Sequence, residues 1–342
     1  MWLAFVIAII ALGLLYDFLN GANDSANAIA TVIATKALSP LKALTLASFF
    51  NLLGAFFFTE VARTIGKGIV STTDLAPDIF LFVLMSGLIG AILWTYLCTS
   101  LGIPISVTHS LVGAIMGAGF LAGGTGIIQW GILKQKVFLA IALGPFAGFV
   151  AGALLFSLIS WVLYLFYQKV PPTKTEVIFK KLQLVSASFM AFSHGMNDTQ
   201  NAMGVITAAL ITGGFIATYP ADRFPVPWWV KLLCGSMMAL GTLLMGWKVI
   251  QTMGWRLTKL EPKHGFAAET GAGLAVVAVS LVGMPVSTTH VIGSAVIGGT
   301  FFQSLRRIRW SEVGRMLTAW IITIPFSALF GGMSYWLLQF AL

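Results

Sequence analysis

The chain has 342 residues, 58% of them hydrophobic and only 9% charged. A water-soluble domain carries roughly a quarter charged residues, so these proportions exclude a soluble globular protein and read as an all-α polytopic membrane protein embedded in a lipid bilayer. The net charge of +9 does not point to nucleic acid, because the basic residues sit at the ends of apolar segments, where lipid headgroups meet them, and form no single patch.

Ten apolar segments follow one another, at 2–35, 40–62, 79–99, 104–123, 137–167, 183–217, 229–252, 267–283, 286–304 and 313–341. The first has no basic residues ahead of it and no small-residue cleavage site, so it is read as a membrane segment and not as a signal peptide. It is interrupted at 20–28 by "NGANDSANA", which places Asn23, Asp24 and Asn27 inside a hydrophobic stretch. Gly21 permits a break there, and the segment is expected to be two half-helices. At 102–110, "GIPISVTHS" stops one helix with Gly and Pro and opens another with a hydroxyl-rich turn that carries Ser106, Thr108 and Ser110. The polar interval "QKVPPTKTEVIFKK" marks 169–182 as a cytoplasmic linker between an N-terminal transmembrane repeat, 1–168, and a C-terminal inverted repeat, 183–342. The sixth segment is interrupted in turn by "FSHGMNDTQNA", with Asn197, Asp198 and Asn201. "GFAAETGAGL" then carries Glu269, and "GMPVSTTH" carries Ser287, Thr288 and Thr289. Cys98 and Cys234 are far apart in apolar runs and are expected to be packed thiols. Asp17 and Glu60 lie nearer segment ends and are expected at the interfaces, as are Trp2, Trp228, Trp229, Trp310 and Trp336.

The two halves repeat. "FLNGANDSANA" returns as "FSHGMNDTQNA", "GIPISVTH" returns as "GMPVSTTH", and Trp130 and Pro145 return as Trp310 and Pro325, in the same order and at offsets of 174–181 residues. Five segments per half, an odd number, invert the second copy relative to the first. With the N-terminus outside, thirteen Lys and Arg residues, Arg256 and Lys259 among them, face the cytoplasm. Six face outward (Arg63, Lys67, Lys134, Lys136, Arg223 and Lys231), and Lys248 is unassigned at a segment end. This excess predicts that both termini are extracytoplasmic.

Broken helices at matching positions of inverted repeats point to the binding site of a secondary transporter. A carboxylate at mid-membrane costs about 2.5–3.5 kcal/mol on insertion scales, and a bound cation offsets it. The oxygens of Asn23, Asp24, Asn27, Asn197, Asp198 and Asn201 suit a small hard cation. The bland alternative is that each Asn-Asp pair only caps a half-helix. Free N–H groups and hydroxyls at a helix start suit phosphate or a similar oxyanion, although Ser and Thr also serve there as simple caps. His109 and His290 occupy equivalent positions and are candidates either for coupling, as donors or proton relays, or for plain structural roles. Glu269 has no acidic counterpart in the first half; it is either a coupling residue or an interfacial one. The absence of a "GxxxxGK[ST]" loop and of a metal-catalytic cluster argues against an enzyme.

These stretches resemble the inorganic phosphate transporter (PiT) family: "GANDSANA" and "HGMNDTQNAMG" are similar to its duplicated signature, and "GIPISVTHS", "GMPVSTTH" and "GFAAETGAGL" to its other recurring stretches. The resemblance covers nearly the whole chain. It implies two inverted repeats, symport of inorganic phosphate with Na+ or H+ across the plasma (inner) membrane, and the homodimers known in the family. By it, Asn23, Asp24, Asn197 and Asp198 help form the cation and phosphate centre, the hydroxyls from Ser106 to Ser110 and from Ser287 to Thr289 surround the anion, and Glu269 takes an acidic position tied to transport. The chain departs from some members in having Asn51 where they carry glutamate, and in lacking a long central cytoplasmic domain. The expectation is a cation-coupled phosphate symporter working by alternating access, sodium being favoured over protons and no organic cofactor being needed. A symporter of another oxyanion such as sulfate, and a passive anion channel, stand as alternatives.

Overall fold

The computed structural model describes residues 2–217, 224–244, 247–253 and 260–340. Its helices are α1 (Trp2–Ala34), α2 (Pro40–Gly54), α3 (Glu60–Gly68), α4 (Pro77–Leu101), α5 (Val107–Gly123), α6 (Trp130–Ile132), α7 (Leu139–Phe166), α8 (Pro172–Thr212), α9 (Trp228–Leu244), α10 (Trp247–Gln251), α11 (Pro262–Leu281), α12 (Thr288–Phe301) and α13 (Trp310–Gln339). A π-helical turn over Leu133–Phe138 joins α6 to α7. Among the described residues five helical stretches are long and apolar enough to cross a bilayer: α1, α4, the run Trp130–Phe166, α11 and α13. The chain is a multi-pass helical membrane protein.

Prolines at the first turn start α2, α4, α8 and α11, where the missing N–H has no partner to lose. Gly102 ends α4 in the left-handed region at φ 70°. Ser106 and Ser287 then cap α5 and α12 alike, each side-chain oxygen accepting the backbone N–H of the histidine three residues on, at 3.2 Å. Pro145 and Pro325 lie inside α7 and α13.

The expected breaks in the first and sixth segments do not occur. α1 runs unbroken through 20–28, and α8 runs unbroken for 41 residues through 192–202. Gly21 and Gly195 serve close approach instead. A Cβ on Gly21 would stand 2.1 Å from the Met238 carbonyl oxygen, and one on Gly195 would stand 2.1 Å from that of Asn51. Small residues of this kind let membrane helices pack backbone to backbone. α8 also begins at Pro172, within the interval read as a linker. Arg223, Arg256 and Lys259, used in the charge count, lie outside the described residues.

α1 and α8 are antiparallel neighbours: Gly13 faces Ala202 and Ile206, Asn20 meets Asp198, and Thr35 meets Gln183. Two apolar cores flank the middle of this pair. One gathers Val6, Ile9 and Tyr16 of α1 with Ala202–Leu210 of α8, α4 and α5; the other gathers Ala26–Ile33 of α1 with Ala187–Ala191 of α8, α11 and α12. The polar motifs lie between the cores, at mid-height. Cys98 and Cys234 are free and buried, as expected. Trp2, Trp228, Trp310 and Trp336 are exposed close to helix ends. Glu60 is exposed, whereas Asp17 is wholly buried among the helices.

Candidate functional site

Asp24 and Asp198 come from different halves of the chain and meet between the two cores, 2% and 1% exposed. His194, one turn before Asp198 on α8, lies between them, with Nε2 3.9 Å from Asp24 Oδ2 and 3.5 Å from Asp198 Oδ2. These three side chains can offer ligand atoms within 4.8 Å of one another. The first turn of α12 completes the centre. Thr289 Oγ1 donates to Asp24 Oδ1 at 3.0 Å, and Thr288 Oγ1 lies 3.4 Å from both Asp24 Oδ2 and Asp198 Oδ2. Two carboxylates thus face the positive end of a helix, with a histidine as their one ion-pairing partner among the described residues. Its other nitrogen, Nδ1, is held 2.9 Å from Asn51 Oδ1.

The motif asparagines fall into two pairs. Asn23 donates to Thr99 Oγ1 at 2.8 Å and Ile103 O at 3.4 Å, and accepts Ile105 N–H at 3.4 Å. Asn197 does the same in its own half, donating to Val286 O at 2.8 Å and accepting from Ser280 Oγ at 2.8 Å; it also donates to Asp198 Oδ1 at 2.5 Å. Both therefore pin the loop ahead of a hydroxyl-bearing helix. The other pair crosses between halves. Asn27 donates to Thr288 and Thr289 at 3.1 and 3.0 Å, and Asn201 donates to Thr108 at 2.8 Å. Asn201 Oδ1 keeps no partner.

Four expected residues sit apart. Ser110 turns away from the centre, bonding to Ala91 O at 3.3 Å and lying 3.5 Å from Thr95 Oγ1, because it falls on the α5 face packed against α4. His109 and His290 meet edge to face, centroids 5.0 Å apart, and Trp320 stacks on His290 at 4.0 Å. Among the described residues the Nε2 atoms of both histidines lack a hydrogen-bond partner, so neither passes a hydrogen bond toward the aspartates from that atom. Glu269 is fully buried on α11, and it accepts hydrogen bonds from Thr31, Ser186 and Gln183. Thr31 is seven residues beyond Asp24 on α1, about 10 Å along the axis at 1.5 Å per residue. Gln183 is also bonded to Thr35 at 2.7 Å, and Thr35 borders a half-polar cavity of about 420 Å³ lined by Lys36, Lys180, Glu261 and Lys263.

Several polar contributors carry no sequence signature: Thr99, Ser280, Gln183, Ser186, Thr31 and Asp17. Helical spacing offered a signal for some. Asp17, Asn20, Asp24, Asn27, Thr31 and Thr35 share one face of an unbroken α1. Thr99 and Ser280 stand at the repeat offset and bond equivalent asparagines.

A helical bundle with paired carboxylates, a histidine and capped helix starts at mid-height, and a buried acidic branch leading toward one end, has the make-up of a membrane transporter. The chain belongs to the phosphate transporter family, which its residues 20–331 match; members of this family are transporters, not enzymes. It is 39% identical over 332 residues to a probable low-affinity inorganic phosphate transporter of Rhizobium meliloti, covering 96% of this chain and 95% of that one. It is 37% identical over 338 residues to a protein of the same description from Bacillus subtilis, covering 98% of each. Among solved structures it is similar to one described as the sodium-dependent phosphate transporter, with a TM-score of 0.91 and 27% identity over 99% of this chain and 100% of that one.

Proposed function

We propose that the chain is a cation-coupled symporter of inorganic phosphate, with sodium as the coupling ion, working by alternating access. One observation carries this reading: Asp24 and Asp198 are buried together with a single histidine between them. Two carboxylates so placed repel each other and any incoming anion. Cations held by the oxygens of Asn23, Asp24, Asn27, Asn197, Asp198 and Asn201 reverse that field, so phosphate binds once cations are present. Phosphate then meets Ser106, Thr108, Ser287, Thr288 and Thr289 with the paired Asn-Asp residues, at the starts of α5 and α12. Glu269 is a second acidic station, joined through Gln183 and Thr35 to the lysine-lined cavity, and belongs to coupling. His109 and His290 act on coupling by position, tying α5 to α12.

The matched pattern of asparagine bonds favours two inverted repeats, 1–168 and 183–342. In this arrangement both termini are extracytoplasmic and the protein sits in the plasma membrane as a homodimer; crosslinking and cysteine accessibility from each side test these points. The functional test is phosphate uptake into proteoliposomes under an imposed sodium or proton gradient. Sodium should drive it, and Asp24→Asn and Asp198→Asn should each lower it by about 100-fold or more, the cost of disturbing a buried charge set. Uptake indifferent to both gradients, or single-channel currents without saturation, would point to a passive pathway. Competition by arsenate but not sulfate is expected of a phosphate site.

A further inference from the structure

Among the described residues, Asp17 is the one buried acid that the proposed symport cycle leaves unused. It lies on α1 two turns before Asp24 and is 0% exposed. Among the described residues neither of its oxygens finds an N–H or O–H donor, and Asn20 Oδ1, one turn further on, is equally bare. The carboxyl meets the Cys234 thiol of α9, a weak donor. The ionisable groups around the carboxyl are Cys234 from α9, Asp198 from α8 and Tyr16 on its own helix, with Asp24 beyond Tyr16. α4, which also packs along α1, brings no charged side chain except Asp78 in its exposed first turn. The cation of α9, Lys231, is turned to the Phe56 carbonyl at 3.3 Å, and among the described residues no ion pair joins Asp17 to a cation.

Buried acceptors with no donor between them call for a proton or a cation. A sodium ion is poorly served here. The carbonyls of α1 are engaged in an unbroken helix, and the neighbouring ligand atom is a sulfur, which hard cations avoid. One proton, by contrast, removes the charge and supplies the missing donor, since residues one helix turn apart are within reach of each other. We propose that Asp17 is a proton-binding site separate from the central one, its carboxyl O–H shared with Asn20 Oδ1, and that the protein carries this proton together with phosphate. The step is a simple transfer: water outside gives a proton to the Asp17 carboxylate, and the carboxyl returns it to water inside once α9 has moved from α1. The transport part rests on the phosphate-symport reading; the proton site itself does not.

Two measurements on Asp17→Asn test it, asparagine being a neutral near-isostere of the protonated acid. In proteoliposomes containing a pH-sensitive dye, sodium-driven phosphate uptake should persist while the protons entering per phosphate fall by one. In infrared spectra of the purified protein, which need no transport, the variant should lack one protonated-carboxyl band of the wild type. An unchanged proton count in a transporting variant overturns the carrying of the proton, and unchanged carboxyl bands overturn the site. A variant that fails to fold also overturns it, because a neutral side chain is then not what the position holds. If the wild type carries no phosphate but the band disappears in the variant, the symport reading fails and the proton site stands.

Discussion

The two copies of the Asn-Asp motif build the same bonds almost residue for residue, and the places where they differ are more telling than those where they agree. Asn23 and Asn197 pin equivalent loops, and Asn27 and Asn201 reach across to Thr289 and Thr108, which are themselves equivalent. The first difference lies one turn earlier. Asn20 in the first copy bonds a backbone oxygen of α8, whereas His194 in the second stands between both aspartates. The second difference is that Thr289 and Thr288 also touch carboxylates, while no such contact joins Thr108 to either aspartate. The frame is duplicated, and the chemistry is weighted toward the second half.

The largest effect is expected where the copies agree. Gly21→Val and Gly195→Val each drive a side chain into a neighbouring helix backbone, at a Cβ–oxygen distance of 2.1 Å. Overpacking of side chains costs about 1–3 kcal/mol, and rigid backbone gives way less, so both variants should lose folded protein to a similar extent in a thermal-melt and gel-filtration assay. A variant that melts like the wild type would mean that the close approach is not needed, and that the glycines serve a hinge after all.

The next two tests separate the copies. His194→Asn turns the second motif into the first at this position. The protein should still fold, but phosphate uptake should fall roughly 10- to 100-fold, the scale of losing a partner of buried charges, with a shifted sodium dependence. An unchanged sodium dependence would remove the histidine from the centre. Thr289→Val should lower uptake roughly 10-fold, because it takes from Asp24 the shorter of its two hydroxyl donors and leaves Oδ1 bare, whereas Thr108→Val breaks one neutral hydrogen bond and should stay within about 5-fold. Equal losses from the two threonines would mean that the chemistry is as symmetric as the frame.

Much of this is legible in the sequence: the helical membrane class, and the pairing of motifs whose side chains meet between the two cores. The break in α1 was misread because Gly21 beside three polar residues in a hydrophobic run satisfies the usual pattern of an unwound membrane helix. The polar residues recur at helical spacing from Asp17 to Thr35, however, and side chains on α4, α8 and α12 meet their needs without unwinding. The burial of Asp17 is not legible in the sequence, because nearness to a segment end says nothing of what packs over a side chain. What covers it is α9, whose approach over Gly21 and Gly241 is a matter of packing between distant segments. Gln183 and Ser186 were hidden for a related reason: they find Glu269 only when α8 and α11 are brought side by side.

The smallest effect separates a hydroxyl in the motif from a hydroxyl in the site. Ser110 completes "SVTHS", but the repeat offset sets Val291 opposite it, so the second copy of the frame works with an apolar residue there. In the structure Ser110 bonds the Ala91 carbonyl, inside α4, and faces Thr95. That carbonyl lies within a helix, so Ser110→Ala takes away a weak additional bond and a small volume. Stability should fall by less than about 1 kcal/mol, and phosphate uptake should stay within about twofold at every phosphate concentration. A loss comparable to that of Thr289→Val, read in apparent phosphate affinity with the melting temperature unchanged, would bring Ser110 into the anion's path and require α5 to turn toward the centre during transport.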